Sequence, residues 1–307
     1  MIQSLINLLY RYPRAELKRV KKFGGYAGYL YMLYSSKLMK KAAPYLPPVN
    51  SYPDGLPVYF LTGERFLYQT LFCIQSLSKH STEKFRYMLV DDGSLTDLHI
   101  QQINKQLPGA EIFTKAIIEQ NIEKTFPQNS FPVLRHKRKV YPHIKKLTDI
   151  HTLPGNAWKL VLDSDMLFWN NPAAMIAWLK NPEKPMYMVD CTESYGYSQQ
   201  LMEQLAGAAI PPLLNVGIIG LNSETINWET LENWVKVLEQ KENATYFLEQ
   251  ALSAMLVAGN KSVVLTANDY IVNPDNENIL NSTGTLQHYV DQSKKGYYTI
   301  AWRKYIA

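Results

Sequence analysis

At 307 residues and 46% hydrophobic content, the chain can bury the core of one large α/β domain or two small ones, which excludes a disordered or fibrous class. Its two cysteines, Cys73 and Cys191, lie in apolar stretches, which excludes a disulfide framework and points to a reducing compartment. The net charge of +5 is unevenly placed: residues 1–45 hold nine Lys/Arg against the single acid Glu16, so the remainder is net negative, and with no recognised motif beside the basic patches nucleic acid is not an expected partner.

Residues 1–45 read as helical, with basic and apolar or tyrosine-rich faces and a break near Gly24-Gly25; seven of the 21 tyrosines fall here. Pro44, Pro47, Pro48 and Pro53 follow as a stiff linker, so residues 1–50 are expected to be an extension and 51–307 the main domain. A basic segment of this kind either lies on an anionic membrane surface or packs on the main domain with its lysines in water, and the two are compatible. The first ten residues lack a basic n-region and are too short to span a membrane, so the expected location is cytoplasmic, at most peripheral at the inner membrane face. Sequons at Asn243 and Asn281 carry no meaning without a secretory route.

From residue 57 the pattern alternates between strand and helix. Residues 57–63 read as a strand ending in a loop, 67–80 as an amphipathic helix, and 87–90 as a second strand stopped by Asp91-Asp92-Gly93-Ser94. A helix from Thr96 and a strand near 110–113 complete a βαβαβ order, which predicts a parallel sheet with ligand groups at the strands' C-terminal ends.

Residues 159–169 are the most informative segment, an apolar run interrupted by Asp163 and Asp165. On an extended chain positions i and i+2 project to one side, and two carboxylates in a poorly solvated place repel unless one takes a proton. A divalent cation removes that conflict. Oxygen ligands suit Mg2+ or Mn2+, whose remaining positions usually take phosphate oxygens. The plainer alternative is two solvated aspartates in a turn.

Taken together, these residues resemble nucleotide-sugar-dependent glycosyltransferases of the GT-A fold. Leu89-Val-Asp-Asp-Gly-Ser94 looks like the segment that family uses for the nucleoside, and Asp163-Ser-Asp165 like its metal-binding Asp-x-Asp. Leu214-Asn-Val-Gly217 is similar to the Asn-x-Gly strand of family-eight retaining enzymes, and Phe247-Leu-Glu-Gln250 sits where those enzymes have Asp-Gln. His288 and Lys294 keep the spacing of their His-x-x-Gly-x-x-Lys-Pro-Trp motif, with Asp291 in the glycine's place and Lys295-Gly296 in place of Pro-Trp. Asp-Asp-Gly-Ser is also typical of inverting family-two enzymes, but their Gln-x-x-Arg-Trp is absent from the sequence.

The resemblance, which covers residues 57–303, implies an α/β GT-A fold, a mixed and mainly parallel sheet flanked by helices; the basic helical extension read from the sequence stands in front of it. It implies a metal-dependent glycosyltransferase using Mn2+ (or Mg2+) and a nucleoside diphosphate sugar, in particular a UDP-sugar, with retention and a glycan or lipid-linked acceptor of cell-surface polysaccharide synthesis. Asp165 and His288 would hold the metal, with Asp163 on metal or ribose, and Lys294, or Lys295 instead, would meet the leaving diphosphate. Asp91 or Asp92 would accept from the nucleoside, or one of them would close an Asx-turn; Thr62 and Gly63 would allow close backbone approach to it. Glu249 and Gln250, opening an apolar helix-like run, would lie beside the anomeric carbon. Asp190 and Asn215 would hold donor hydroxyls, with Glu249 or Asp190 as general base if the enzyme inverts. The cationic stretch Arg135–Lys139 with His143, Lys145 and Lys146 would either contact the diphosphate or an anionic acceptor, or be a solvated face.

Two other readings fit the paired carboxylates. A sugar-nucleotide nucleotidyltransferase shares the metal logic but usually carries a Gly-rich basic loop after its first strand, where this chain has only Thr-Gly-Glu-Arg65. A non-catalytic glycan- or nucleotide-binding scaffold would keep the fold without turnover.

Overall fold

The computed structural model describes residues 12–306, with side chains from Leu17 onward; the start of the basic segment, residues 1–11, lies outside them. Two helices come first, α1 (Tyr12–Lys22) and α2 (Gly25–Ala42), broken where the sequence places Gly24 and Gly25, both at positive φ (88° and 80°). Strand β1 (Leu56–Thr62) leads into α3 (Leu67–Lys79), then β2 (Phe85–Asp91), α4 (Asp97–Gln106), β3 (Glu111–Phe113) and α5 (Lys115–Thr125). Helices α6 (Pro132–Val140) and α7 (Lys145–His151) precede β4 (Trp158–Leu162) and the short β5 (Met166–Phe168). There follow α8 (Ala173–Lys180), β6 (Met186–Val189), α9 (Gln199–Ala206), β7 (Leu214–Asn222), α10 (Trp228–Glu242) and α11 (Leu248–Val257). The chain closes with β8 (Val263–Leu265), β9 (Tyr270–Val272), α12 (Asn276–Asn281), β10 (Leu286–His288) and a helix over 294–306 whose middle turn, Tyr297–Ala301, is π-helical.

The main sheet has seven strands in the order β3-β2-β1-β4-β7-β6-β8. Strands β3, β2, β1 and β4 run parallel, β7 is antiparallel to β4 and β6, and β8 is parallel to β6. Central strands of such a sheet are covered on both faces, so they read as unbroken apolar runs. In β1, Val58 and Phe60 enter one buried cluster while Tyr59 enters the other, and in β4 Leu160 and Leu162 are split in the same way from Val161. Each such buried side chain stabilises by roughly 1.5–3 kcal/mol.

A second, three-stranded sheet, β5-β10-β9, sits beside the first. Its strands are three residues each, too short for a period to be read from sequence. Strand β10 pairs antiparallel with β5, setting His288 opposite Met166.

The N-terminal helices belong to the same packing. Met39, Ala43 and Leu46 share a core cluster with β1, α3 and the C-terminal helix, and Lys22 pairs with Asp291. Asp291 adopts φ 47°, a left-handed conformation that explains why glycine suits this position; aspartate tolerates it better than most residues. Both cysteines are free, Cys73 buried and Cys191 exposed, the latter against the apolar setting expected from sequence. No described helix is long and apolar enough to cross a membrane.

Candidate active site

The connection from β4 to β5 is Asp163-Ser164-Asp165, so the two carboxylates stand where the two sheets meet. The Asp163 amide donates to the carbonyl of Gly217 in β7 (2.8 Å), and the Tyr289 amide, just after β10, donates to the Asp165 carbonyl (2.9 Å). Ser164 turns the other way, its hydroxyl 2.9 Å from that of Thr70 in α3. The β5–β10 register then carries His288 to both carboxylates, its Nε2 3.3 Å from Asp165 Oδ1 and 3.6 Å from Asp163 Oδ2. One ligand atom from each of the three residues lies within 4.8 Å of the others.

His288 is 2% exposed, yet neither ring nitrogen makes a hydrogen bond, since the nearby carboxylates lack hydrogen-bond geometry. A buried polar group left unbonded costs about 1–3 kcal/mol. Two carboxylate oxygens and an imidazole nitrogen converging in this way fit a divalent cation of the Mg2+ or Mn2+ type, which would satisfy that nitrogen and relieve the carboxylate repulsion.

Gly217 makes the arrangement feasible. A Cβ there would fall 2.5 Å from His288 Nδ1 and 2.6 Å from its Cε1, which accounts physically for the Asn-x-Gly pattern. Gly217→Ala is therefore expected to push the imidazole out of place, weakening metal affinity by roughly 10–100-fold and costing about 1–3 kcal/mol of stability from overpacking. Metal titration and thermal melting measure the two; wild-type values for both would contradict this account of the glycine.

Two lysines neutralise the carboxylates, one beside each. Lys294, half-exposed in the first turn of the C-terminal helix, reaches Asp165 Oδ2 at 3.4 Å, and the Asp165 charge raises its pKa above the usual lysine value. Burial alone would raise the Asp165 carboxyl, but Lys294 and His288 outweigh it and hold the group well below the usual carboxylate range. Lys146 of α7 is buried, with Nζ 2.9 Å from Asp163 Oδ1, 2.7 Å from the Val216 carbonyl and 3.8 Å from Glu249 Oε1. Burial would lower its pKa, but Asp163 and Glu249 more than compensate and raise it.

Glu249 and Gln250 occupy the first turn of α11 and are both buried. Burial pushes the Glu249 carboxyl up to about 7 despite the opposing pull of Lys146. Gln250 Nε2 donates to Asp190 Oδ2 (3.1 Å), as does Asn215 Nδ2 (2.9 Å), while the Cys191 amide occupies Asp190 Oδ1 (2.8 Å). Asn215 Oδ1 in turn accepts the Gly217 amide (2.8 Å). Thus Asp190, Asn215 and Gln250, separate in sequence, form one polar group, and Glu249 joins the metal-type cluster through Lys146.

At the far end of β1 and β2 the two aspartates divide the work. Asp91 Oδ1 accepts the amides of Gly93 (2.8 Å), Ser94 (3.0 Å) and Leu95 (3.0 Å), the Asx-type turn that ends the strand. Asp92 Oδ1 accepts the Ser94 amide (3.0 Å) and projects over Gly63, where a Cβ would come within 2.1 Å of that oxygen. The Thr62 hydroxyl is buried against Thr70 (2.8 Å). Beside Asp91 and Asp92 opens a small polar cavity of about 120 Å3, flanked by Lys115, Lys145 and Arg138.

The cationic stretch splits by function. Arg138 is buried against Asp149 (2.6 and 2.8 Å) and Glu119, Lys137 pairs with Glu239, and Arg135 with Glu123, so these three are structural. Lys145 donates to the Asp92 carbonyl (2.5 Å), and only Lys146 enters the carboxylate cluster. Its central position is not apparent from sequence, where it is one of several adjacent cations; the signal available is the apolar spacing of Leu147 and Ile150 around it, which buries the face it shares.

At the level of sequence, no protein-family model and no curated protein matches the chain. Among solved structures, mouse xyloside xylosyltransferase 1 in its apo form superposes with a TM-score of 0.50 at 13% identity, over 78% of this chain and 98% of that one. The fold is that of the GT-A glycosyltransferases. Further GT-A neighbours include the galactosyltransferase LgtC solved with donor and acceptor sugar analogues (14% identity, 76% of this chain and 86% of that one, TM-score 0.48). GlyE from Streptococcus pneumoniae is another (14% identity, 81% and 62%, TM-score 0.47).

Proposed function

We propose that the chain is a metal-dependent glycosyltransferase that moves a sugar from a nucleoside diphosphate sugar, in particular a UDP-sugar, to a glycan or lipid-linked acceptor with retention. The observation that carries this reading is the convergence of Asp163, Asp165 and His288, with its orphaned ring nitrogens, between Lys294 and Lys146. In the reaction, the bond from the anomeric carbon to the diphosphate oxygen breaks, one to the acceptor hydroxyl oxygen forms, and the hydroxyl's proton passes to the departing diphosphate. Mn2+ or Mg2+ held by the three residues would supply Lewis-acid stabilisation of the departing diphosphate. Lys294 is placed to share that charge from the half-exposed side. Asp92, which lines the small polar cavity and is half-buried where Asp91 is buried within its turn, is the better-placed partner for the nucleoside through the carboxylate oxygen that Ser94 does not hold.

Asp190, Asn215 and Gln250 are proposed to hold donor-sugar hydroxyls beside the reacting carbon, with Glu249 adjoining them. Retention rests on the likeness of Leu214–Gly217 and Glu249-Gln250 to the motifs of retaining enzymes. If the enzyme inverts, Glu249, whose carboxyl burial pushes up to about 7, is the general base, since Asp190 is already the acceptor of three hydrogen bonds. Nothing comparable favours nucleotidyl transfer: in the loop after β1, Arg65 lies against the Phe66 ring (5.4 Å). Incubating the protein with a panel of nucleotide sugars and Mn2+ tests the reading, since slow donor hydrolysis to free sugar and nucleoside diphosphate is expected for one of them. Intact donors throughout, with no metal effect, would contradict it.

A further inference from the structure

Among the described residues, the helical pair at the N-terminus leaves an apolar face with no covering element. In α2, Met32, Ser35 and Met39 point into the protein, while Tyr26, Leu30 and Tyr34 on the opposite face are 65%, 61% and 59% exposed. Tyr31 and Leu33 flank them and are also exposed. At helical spacing the same outer face continues into Lys37 and Lys41, with Lys40 beside it, and all three are exposed. Two turns of tyrosine and leucine followed by lysines form a contiguous exposed patch, which in a soluble domain marks an interaction surface.

We propose that this face of α2 docks on an anionic lipid bilayer. Tyrosine rings suit the boundary where one end of a side chain is apolar and the other wet, and lysines near it meet anionic headgroups. The charge distribution separates this occupant from a second copy of the chain. Residues 1–45 hold nine Lys/Arg against one acid, so pairing two such faces would set like charges together.

The location adds a functional consequence that rests on the proposed transfer activity. The elbow between α1 and α2 touches the segment carrying the site: Lys22 pairs with Asp291, and a Cβ at Gly24 would lie 3.0 Å from Lys295 Nζ, next to Lys294. A bilayer against α2 would therefore lie on an element joined directly to the segment that carries Lys294, close to where a lipid-linked acceptor would be needed. Vesicle docking itself needs no transfer chemistry, so its test stands apart from that of the activity.

The test is flotation of the whole chain with vesicles of phosphatidylcholine alone or mixed with phosphatidylglycerol, at low and high salt. Binding is expected only to the anionic vesicles and to weaken with salt. The combined Lys37→Gln, Lys40→Gln and Lys41→Gln variant should lower partitioning on the order of a hundredfold. Leu30→Ser with Tyr34→Ser should lower it roughly tenfold. All five positions are exposed, so both variants should melt with the wild type. No flotation with anionic vesicles, equal flotation of both variants, or self-association through this face without vesicle binding would overturn the proposal.

Discussion

Asp165→Ala is expected to abolish metal-dependent nucleotide binding and to slow donor turnover on the order of a thousandfold or more. The figure follows from removing a charge stabilisation worth several kcal/mol, at a factor of ten for each 1.36 kcal/mol. Asp165 faces His288 at 3.3 Å and Lys294 at 3.4 Å, so its loss removes one of three converging ligands and frees the lysine. The fold should survive, because the backbone at this position is held by the Tyr289 amide through the Asp165 carbonyl, which alanine keeps. Donor hydrolysis measured beside a circular dichroism spectrum checks both halves. Turnover within tenfold of wild type in a folded variant would remove Asp165 from the metal set.

Lys146→Met is expected to be the most destabilising substitution at the site. The lysine is the buried counter-charge for Asp163 (2.9 Å) and Glu249 (3.8 Å), and breaking a buried pair by removing one partner costs about 3–5 kcal/mol. The thermal midpoint should fall by roughly 10 °C. Glu249 adds a pH signature. Its carboxyl is pushed from an ordinary 4.5 up to about 7 in the folded protein, so the folded state binds the extra proton. The stability this contributes is complete below about pH 4.5 and is lost as pH rises through about 7. In chelator, wild-type stability should therefore carry a downward component between those values, which Glu249→Gln removes. The same change added to Lys146→Met should recover part of the lost stability, since it deletes the charge left without a partner. Urea denaturation at pH 5 and pH 8 measures all four proteins. No coupling between the two substitutions would show that Lys146 and Glu249 do not interact in solution.

Much of the fold is legible because the central strands are buried on both faces: β1, β2 and β4 appear as apolar runs stopped by aspartates or Thr-Gly. The break between α1 and α2 is equally readable, since two glycines at positive φ require it. The second sheet is not readable, its three-residue strands being set by pairing with one another and not by local pattern. Asp163 and Asp165 announce themselves by local spacing. His288 does not: it arrives through the β5–β10 register, and only the motif spacing to Lys294 marks it in the sequence. Lys146 shows the converse difficulty, because a run of cations gives no sign of which member the tertiary structure buries, and here Arg138 and Lys137 are spent on Asp149 and Glu239 while Lys146 turns to the site.

The most direct test of the central claim is calorimetric titration of uridine diphosphate into the protein, in Mn2+ and in chelator. The account predicts binding in Mn2+ that disappears in chelator and in Asp165→Ala. No binding in Mn2+, or equal binding with and without metal, would contradict a donor site built on Asp163, Asp165 and His288.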